Sequence, residues 1–147
     1  MRIAKFTERG DDFQNSRSSL RKSIMIQPRS IVKIADNSGA KIGRIFKVLG
    51  GSKKRYAELG EIVVLSVQKA EPRKAIKKKD VVRAVVVRQR KPYRRIDGSY
   101  ISFDENAVVL IDKAKGEPLG GRIFGPIPRE IADAGFQSIA SKAAEII

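Results

Sequence analysis

The side chains that most often catalyse reactions or bind metals are scarce in this sequence. It contains no histidine and no cysteine, which removes histidine bases, thiolate nucleophiles and the usual zinc ligands. Asp104 and Glu105 are adjacent carboxylates, but neighbouring residues of a strand point to opposite faces and cannot share a substrate. Asn106 beside them indicates a turn. We therefore predict that the protein is not an enzyme and has no metal site and no cofactor.

A glycine pair followed by cations, "GGSKKR" at residues 50–55, is superficially similar to a phosphate-binding loop. It lacks the order G-x-x-x-x-G-K-[ST], and no helix is predicted after it. We interpret it as a flexible loop from which Lys53, Lys54 and Arg55 reach phosphates.

Net charge is the strongest positive signal. Lys and Arg total 31 against 16 Asp and Glu, which gives a net charge of +15. Residues 69–95 alone contain 12 basic and 2 acidic residues, a net charge of +10. Such an excess repels itself unless a polyanion neutralises it, which favours nucleic acid over an anionic membrane surface. A solvated basic surface that only keeps the protein soluble is the alternative, although solubility rarely requires a net charge above about 8.

Length and composition indicate one folded domain. The 147 residues are 41% hydrophobic, enough to bury a core without disulfides. No apolar run reaches the roughly 18 residues of a membrane span, and the absence of cysteine fits a reducing compartment. We interpret residues 1–24 as a retained basic extension before a domain at residues 25–147. A cleaved mitochondrial presequence is the alternative, but Glu8, Asp11 and Asp12 are unusual in such presequences.

From residue 30 onwards the pattern is typical of an all-β domain. Strands rich in valine and isoleucine are predicted at residues 31–35, 41–50, 61–70, 80–90 and 107–111. Alternation in the second strand places Phe46 and Val48 on the same face, and we expect Phe46 and Phe103 in the core. Strands at this spacing without intervening helices predict a small barrel or sandwich.

Between the last two of these strands lies "KPYRRIDGSYISF", residues 91–103. Asp97-Gly98 is a typical hairpin turn, so the segment predicts a projecting hairpin with basic flanks. Alone in water such a hairpin would be marginally stable. We interpret it as an arm that packs between RNA phosphates; an ordinary surface hairpin with solvated arginines is the alternative.

The C-terminal residues differ in character. Residues 129–134 predict a short helix that ends at Gly135. Residues 136–144 predict a second helix, with Phe136, Ile139 and Ala140 on one face. We expect this helical part to span about residues 126–147 and to close one end of the β-body.

The distribution of aromatic residues restricts how nucleic acid can bind. Single-strand binders stack bases on aromatic residues of a shared sheet face, whereas Tyr56, Tyr93 and Tyr100 lie in predicted loops and a hairpin. The strongest basic region is strand and loop rather than a recognition helix for duplex DNA. Basic loops on a rigid β-body suit phosphate and ribose contacts with structured RNA. A free-standing nucleic-acid chaperone and a membrane-surface binder are the rival functions.

Seven segments of the sequence resemble the universal large-subunit ribosomal protein family numbered fourteen, in its bacterial form. They are "MIQ" at 25–27, "VKIADNSGAK" at 32–41, "KVLGGS" at 47–52, "RYAELGEIV" at 55–63, "RAVVVR" at 83–88, "DGSYISFDENAVVLI" at 97–111 and "RIFGPIPRE" at 122–130. They follow the family order over about 120 residues. Bacterial members usually start near residue 25, and Gly121 stands where a threonine often precedes "RIFGP".

The resemblance implies a five-stranded β-barrel with a projecting basic β-hairpin and a short C-terminal helical part. It implies a non-catalytic, structural role in the large ribosomal subunit, with direct binding to large-subunit rRNA and a bridge to small-subunit rRNA. Implied protein partners are the large-subunit proteins three and nineteen and a ribosome-silencing factor, which would bind near Arg122 and the first short helix. The implied location is the cytoplasm, in a bacterial-type ribosome, with an organellar ribosome as the alternative.

Charge, loop position and resemblance together give a set of predicted site residues. For rRNA binding they are Lys41, Arg44, Lys53, Lys54, Arg55, Arg73, Lys74, Lys77, Lys78, Lys79, Arg88, Arg90, Lys91, Tyr93, Arg94, Arg95 and Tyr100. For the subunit interface or protein contacts they are Arg122, Phe124 and Arg129.

Overall fold

The computed structural model describes residues 26–147, and the predicted extension at residues 1–24 lies outside the described residues. The described part consists mainly of β-strands. These are β1 (Ile31–Ile34), β2 (Ala40–Val48), β3 (Ile62–Ala70), β4 (Val81–Arg88), β5 (Tyr93–Arg94), β6 (Tyr100–Ile101), β7 (Ala107–Ile111), β8 (Ile123–Ile127) and β9 (Ala143–Ile146), with two short helices, α1 (Glu130–Asp133) and α2 (Gln137–Lys142). No helix within residues 26–147 is long and apolar enough to cross a membrane.

Five strands close into a barrel in the order β1-β2-β3-β4-β7. Neighbouring strands are antiparallel except β1 and β7, which are parallel and close the barrel through the pairs Lys33–Ala107 and Ile34–Val108. Alternation along β3 turns Val63, Leu65 and Val67 inward, where all three are completely buried. The structure confirms the predicted barrel, and a sandwich is excluded because the sheet closes on itself.

A β-bulge in β2 overturns one prediction about the core. Ile45 pairs with Leu65 while Lys47 pairs with Val64, so Phe46 is an extra residue opposite the regular β3. A bulge interrupts the strict alternation of side chains. Phe46 therefore lies outside and is 50% exposed, whereas Ile45 is completely buried. Phe103, the other phenylalanine expected in the core, is only partly buried.

The C-terminal residues form a layer of two short helices and two strands. Ile131 in α1 and Ile139 and Ala140 in α2 are buried, and Gly135 follows α1 with a positive φ of 102°, as predicted. The two short helices are confirmed, but the strands beside them were not predicted: β8 and β9 pair in parallel, with Ile123 opposite Ala143 and Ile127 opposite Ile146. The partner of each strand is more than 15 residues away, so local pattern gave no sign of this pairing.

The C-terminal layer is attached to the barrel along one side. At one end of the layer, the Phe124 N–H donates to the Ala35 carbonyl at 2.7 Å and the Asn37 N–H donates to the Arg122 carbonyl at 3.2 Å. At the other end, α1 lies beside the β5–β6 hairpin and the loop before β3, where Ala134 approaches Gly60. The layer thus spans the distance between the two ends of the barrel.

Candidate nucleic-acid interface

Strand direction places the predicted basic segments at opposite ends of the barrel. The β2–β3 loop and the β5–β6 hairpin lie at one end of the barrel, called here the hairpin end. The loop comes directly before β3 and the hairpin follows β4, and the start of β3 pairs with the second half of β4. The β1–β2 turn and the β3–β4 loop lie at the other, the turn end. A nine-residue strand such as β3 spans roughly 25 Å. The basic segment 69–95 therefore supplies cations to both ends rather than to one patch.

At the hairpin end, predicted cations lie on the β2–β3 loop and along the hairpin. Lys53, Arg55 and Arg94 are exposed, and Arg90 and Lys91 are half-buried. Tyr100 is 67% exposed and able to stack on a base or ribose. Tyr93 instead packs partly against the core, so its ring is less available.

At the turn end, all six predicted cations are exposed. They are Lys41, Arg73, Lys74, Lys77, Lys78 and Lys79. Ile76 is buried and fixes the middle of the β3–β4 loop on the barrel, while the Lys77 N–H donates to Asp80 Oδ2 at 2.9 Å. Beside this loop lies an open cleft of about 420 Å³, lined partly by Lys33, Lys41 and Lys74. The loop is therefore held in shape while its ammonium groups point into water.

The hairpin has the predicted turn at Asp97-Gly98. The Arg95 N–H donates to the Ser99 carbonyl at 2.8 Å, which leaves a three-residue loop, and Gly98 has a φ of 89°, as the last position of such loops requires. Asp97 Oδ1 accepts from the Ser99 hydroxyl at 2.6 Å and from the Ser99 N–H at 3.0 Å. These two hydrogen bonds hold the pKa of Asp97 below its ordinary value.

The base of the hairpin is fastened to the C-terminal layer. Arg95 Nε lies 2.8 Å from Glu130 Oε1, and Arg95 Nη2 donates to the Ile147 carbonyl at 2.8 Å. The side chain of Arg95 is only 11% exposed. A cleft of about 570 Å³ lies between the hairpin and α1. The hairpin tip projects into solvent, as the fully exposed Ile96 shows, but its base is a fixed part of the molecule.

Three further predicted RNA-binding residues have ion-pair partners within the protein; Lys41 lies 3.8 Å from Glu71 but remains exposed, whereas Arg88 and Lys54 are more buried. Arg88 is 7% exposed; its Nη1 donates to the Phe124 carbonyl at 3.2 Å, and its Nη2 lies 3.5 Å from Glu105. Burial lowers the pKa of Arg88, an effect that the Glu105 charge opposes. Lys54 forms an ion pair with Glu61. Arg88, Lys54 and Arg95 therefore bind mainly to other groups of the protein and present little charge to solvent.

The adjacent carboxylates Asp104 and Glu105 lie in a bend rather than in a strand. Glu105 contacts Lys33 at 2.6 Å and also Arg88, while Asp104 is exposed. Within residues 26–147, no group of three or more His, Cys, Asp and Glu residues could hold a metal ion. Glu105 thus serves as a counter-ion for two cations.

The predicted protein-contact residues are exposed at different places on the C-terminal layer: Phe124 lines the cleft at the turn end, and Arg129 lines the cleft beside the hairpin. Arg122, Phe124 and Arg129 are all exposed, and the Arg122 guanidinium lies 5.9 Å from the centre of the Phe124 ring. At Gly121 a Cβ would meet nothing within 4 Å, so this position has room for a side chain such as threonine.

Sequence reasoning missed cations that lie on the barrel strands. The five barrel strands contain seven Lys and Arg residues and no Asp or Glu. Lys33, Lys47, Lys69 and Arg83 belong to this set, and none of them was predicted as a site. The signal that could have found them is the complete absence of acidic residues from the strand sequences.

Comparison with known protein families agrees with this architecture. The profile of the family described as ribosomal protein L14p/L23e matches residues 25–147. The chain belongs to the ribosomal protein L14p/L23e family. It is therefore a structural protein of the large ribosomal subunit, and the matched region contains the whole barrel, the hairpin and the C-terminal layer.

Family membership gives the separated basic ends a context. A protein of the large ribosomal subunit is surrounded by rRNA and by other ribosomal proteins. Exposed cations at two ends of a rigid body are suited to contact rRNA. The exposed Arg122 and Phe124 are suited to contact a ribosomal protein. The bacterial and organellar alternatives are both compatible with this family.

Proposed function

We propose that this chain binds large-subunit rRNA directly, through solvated cations at both ends of its barrel. The observation that carries the proposal is the separation of these cations, with Lys53 and Arg55 at one end and the exposed lysines of residues 73–79 at the other. Phosphate contacts from two ends of a rigid body fix its orientation on folded RNA. Eleven of the seventeen predicted residues are exposed. Ten of these, all except Arg44 in the middle of β2, lie at the two barrel ends and form the main part of the proposed contact surface.

Buried or paired residues have a different part in this proposal. Arg88, Arg95 and Lys54 hold the C-terminal layer, the hairpin and the β2–β3 loop in place. They position the cations that touch RNA and are not counted among the phosphate contacts. Arg90, Lys91 and Tyr93 lie at the hairpin base and contribute there.

The exposed face of the C-terminal layer is proposed as the interface side of the molecule. There Arg122, Phe124 and Arg129 would contact the large-subunit proteins three and nineteen and contribute to a bridge with small-subunit rRNA. A ribosome-silencing factor would use the same face near Arg122. Support comes from the exposed Phe124, which is 49% accessible and whose ring centre lies 5.9 Å from the Arg122 guanidinium, a pair of residue types common at protein interfaces.

Two further assignments complete the proposal. The ribosome is of the bacterial type, which places the chain in the cytoplasm, and an organellar ribosome is the alternative. Residues 1–24 thread into rRNA or onto a neighbouring protein. If subunits that contain a chain lacking residues 1–24 kept unchanged occupancy and stability, this role for the extension would be refuted.

Hydroxyl-radical footprinting of rRNA in large subunits tests the proposed RNA binding. Replacing Lys53 and Arg55 with Gln should expose one set of nucleotides, and replacing Lys77 and Lys78 with Gln should expose a different set. Lys115 and Lys142 are exposed cations outside the predicted set, and their replacement with Gln serves as the control. Unchanged protection in both end variants, or equal losses in the control, would refute direct binding through the barrel ends.

A further inference from the structure

Within residues 26–147, no layer covers one part of the outer barrel surface. It is defined here as the bare wall and consists of Ile31, Arg44, Phe46, Val64, Val81 and Arg83. Strand register brings these residues together: Ile31 lies opposite Arg44, Arg44 opposite Ser66, and Ser66 opposite Val81. In the next row, Val64 lies opposite Arg83 on one side and beside the Phe46 bulge on the other.

The remainder of the barrel exterior differs from the bare wall. In the second half of β4, Val85 and Val86 point to opposite faces, yet both are completely buried. In the first half of the same strand Val81 is 53% exposed. The C-terminal layer and the loops of residues 26–147 therefore cover one part of the exterior and leave the bare wall exposed.

Large apolar side chains are unusually exposed on the bare wall. Ile31 is 58%, Phe46 50% and Val81 53% exposed. They lie on paired strands rather than at a loop tip, and the bulge in β2 turns Phe46 outward. A contiguous apolar patch on a rigid surface with a polar rim commonly marks an interaction site.

Charge on the bare wall is of one sign. Neither Arg44 nor Arg83 has an ion-pair partner among residues 26–147, and no barrel strand contains a carboxylate. Carboxylate partners for these two guanidinium groups would therefore come from outside residues 26–147.

The composition of the bare wall favours a protein over RNA as the source of these partners. With Lys47, which lies opposite Val64, and Ser66, which lies between Arg44 and Val81, this surface has four apolar residues, three cations and one serine. An exposed phenylalanine with two arginines matches the enrichment of aromatic residues and arginine in protein interfaces. Interfaces with nucleic acids are more polar and more strongly basic, as in the β3–β4 loop, where five cations are exposed and Ile76, its one large apolar side chain, is buried.

We propose that the bare wall is the docking surface for another protein of the large subunit, whose aliphatic side chains cover Phe46 and Val64 and whose carboxylates pair with Arg44 and Arg83. The inference rests on the proposed contacts with neighbouring ribosomal proteins and adds to them a surface separate from the C-terminal layer.

Photo-cross-linking within purified large subunits tests this inference. Phe46 is replaced by the photoreactive analogue p-benzoylphenylalanine in the full chain, and adducts are separated before and after RNase treatment. We expect an RNase-resistant adduct with a large-subunit protein, whose cross-linked peptide contains Asp or Glu. An RNA adduct, an adduct with a small-subunit protein, or no adduct would each overturn the proposal.

The same analogue at Tyr100 separates this inference from the RNA-binding proposal. Tyr100 is more exposed than Phe46 and lies at the hairpin end, so it should give an RNase-sensitive adduct. If Tyr100 fails to reach RNA while Phe46 still reaches a protein, the rRNA assignment of the hairpin fails and the docking surface stands.

A charge reversal tests the predicted carboxylates of the partner. In the chain that carries the cross-linker at position 46, Arg44→Glu should lower the protein adduct by about tenfold or more, as loss of an interface anchor does. Lys142→Glu, an equal change of charge on α2, should leave the adduct unchanged. An equal yield from both variants would refute the predicted charge pairing.

Discussion

Arg88 and Gly125 show how a basic residue in a basic segment can serve the fold. Gly125 has a φ of 81°, and a Cβ there would lie 1.9 Å from Arg88 Nη1. The glycine thus leaves the space through which the guanidinium reaches the Phe124 carbonyl. Sequence position alone placed Arg88 among the RNA contacts, because burial depends on β8, which lies more than 30 residues further along the chain.

Substitution of Gly125 by Ala should lower the free energy of unfolding by about 1–3 kcal/mol. The added Cβ is strained at positive φ and displaces the Arg88 guanidinium from its carbonyl partner. Urea denaturation of the purified chain measures the change. Gly121→Ala is the matched control, because a Cβ there meets nothing within 4 Å and should change stability by less than about 0.5 kcal/mol. Equal effects of the two substitutions would contradict this packing.

Exposed and buried cations should differ in the salt dependence of rRNA binding. Lys53→Gln and Arg55→Gln each remove one proposed phosphate contact, so each should reduce the magnitude of the log–log salt slope by about 0.7–0.9. Arg88→Gln should leave that slope unchanged, since its guanidinium is bound within the protein. Filter binding at several salt concentrations gives the slopes, and a reduced slope for Arg88→Gln would place this residue on RNA.

At the scale of elements, the sequence predicted the features that depend on residues close together in the chain. The five barrel strands follow from runs of β-branched residues, and the hairpin follows from Asp97-Gly98, because few residues other than glycine adopt the φ required at position 98. The β2 bulge and the β8–β9 pair depend on contacts between distant segments. Phe46 was therefore assigned to the wrong face, and Ala143 was assigned to a helix instead of a strand.

The order of the hairpin turn should depend on pH through Asp97. Hydrogen bonds from Ser99 lower the pKa of this carboxylate in the folded protein. A lowered pKa means that the ionised form stabilises the turn above the unfolded pKa of about 4, and that this contribution is lost as pH falls through the folded pKa. The Ser99 amide resonance, followed by NMR during acid titration, should shift with the ionisation of Asp97.

Asp97→Asn is the control for the turn titration. The amide side chain retains an acceptor but has no proton to gain, so the acid shift of the Ser99 resonance should disappear. An unchanged titration in Asp97→Asn would show that another group controls the turn.

At the scale of the whole molecule, the barrel separates four surfaces: two cationic ends, the C-terminal layer and the bare wall. Cations occupy the hairpin end and the turn end, roughly 25 Å apart. The C-terminal layer joins these ends along one side, and the bare wall remains free for a protein neighbour. A net charge of +15 distributed in this way suits a protein held among several partners. A free single-strand binder instead has a single groove in which bases stack.

Sedimentation of the chain with ribosomal subunits, before and after a high-salt wash, tests this account most directly. Lysate is separated on sucrose gradients at low and high salt, and the chain is detected by immunoblotting. The account predicts co-migration with the large subunit that persists at high salt, because phosphate contacts are reinforced by protein contacts and by the fixed geometry of two ends. A purely electrostatic RNA binder would be removed by salt. Release of the chain to the top of the high-salt gradient would contradict its role as a built-in component of the large subunit.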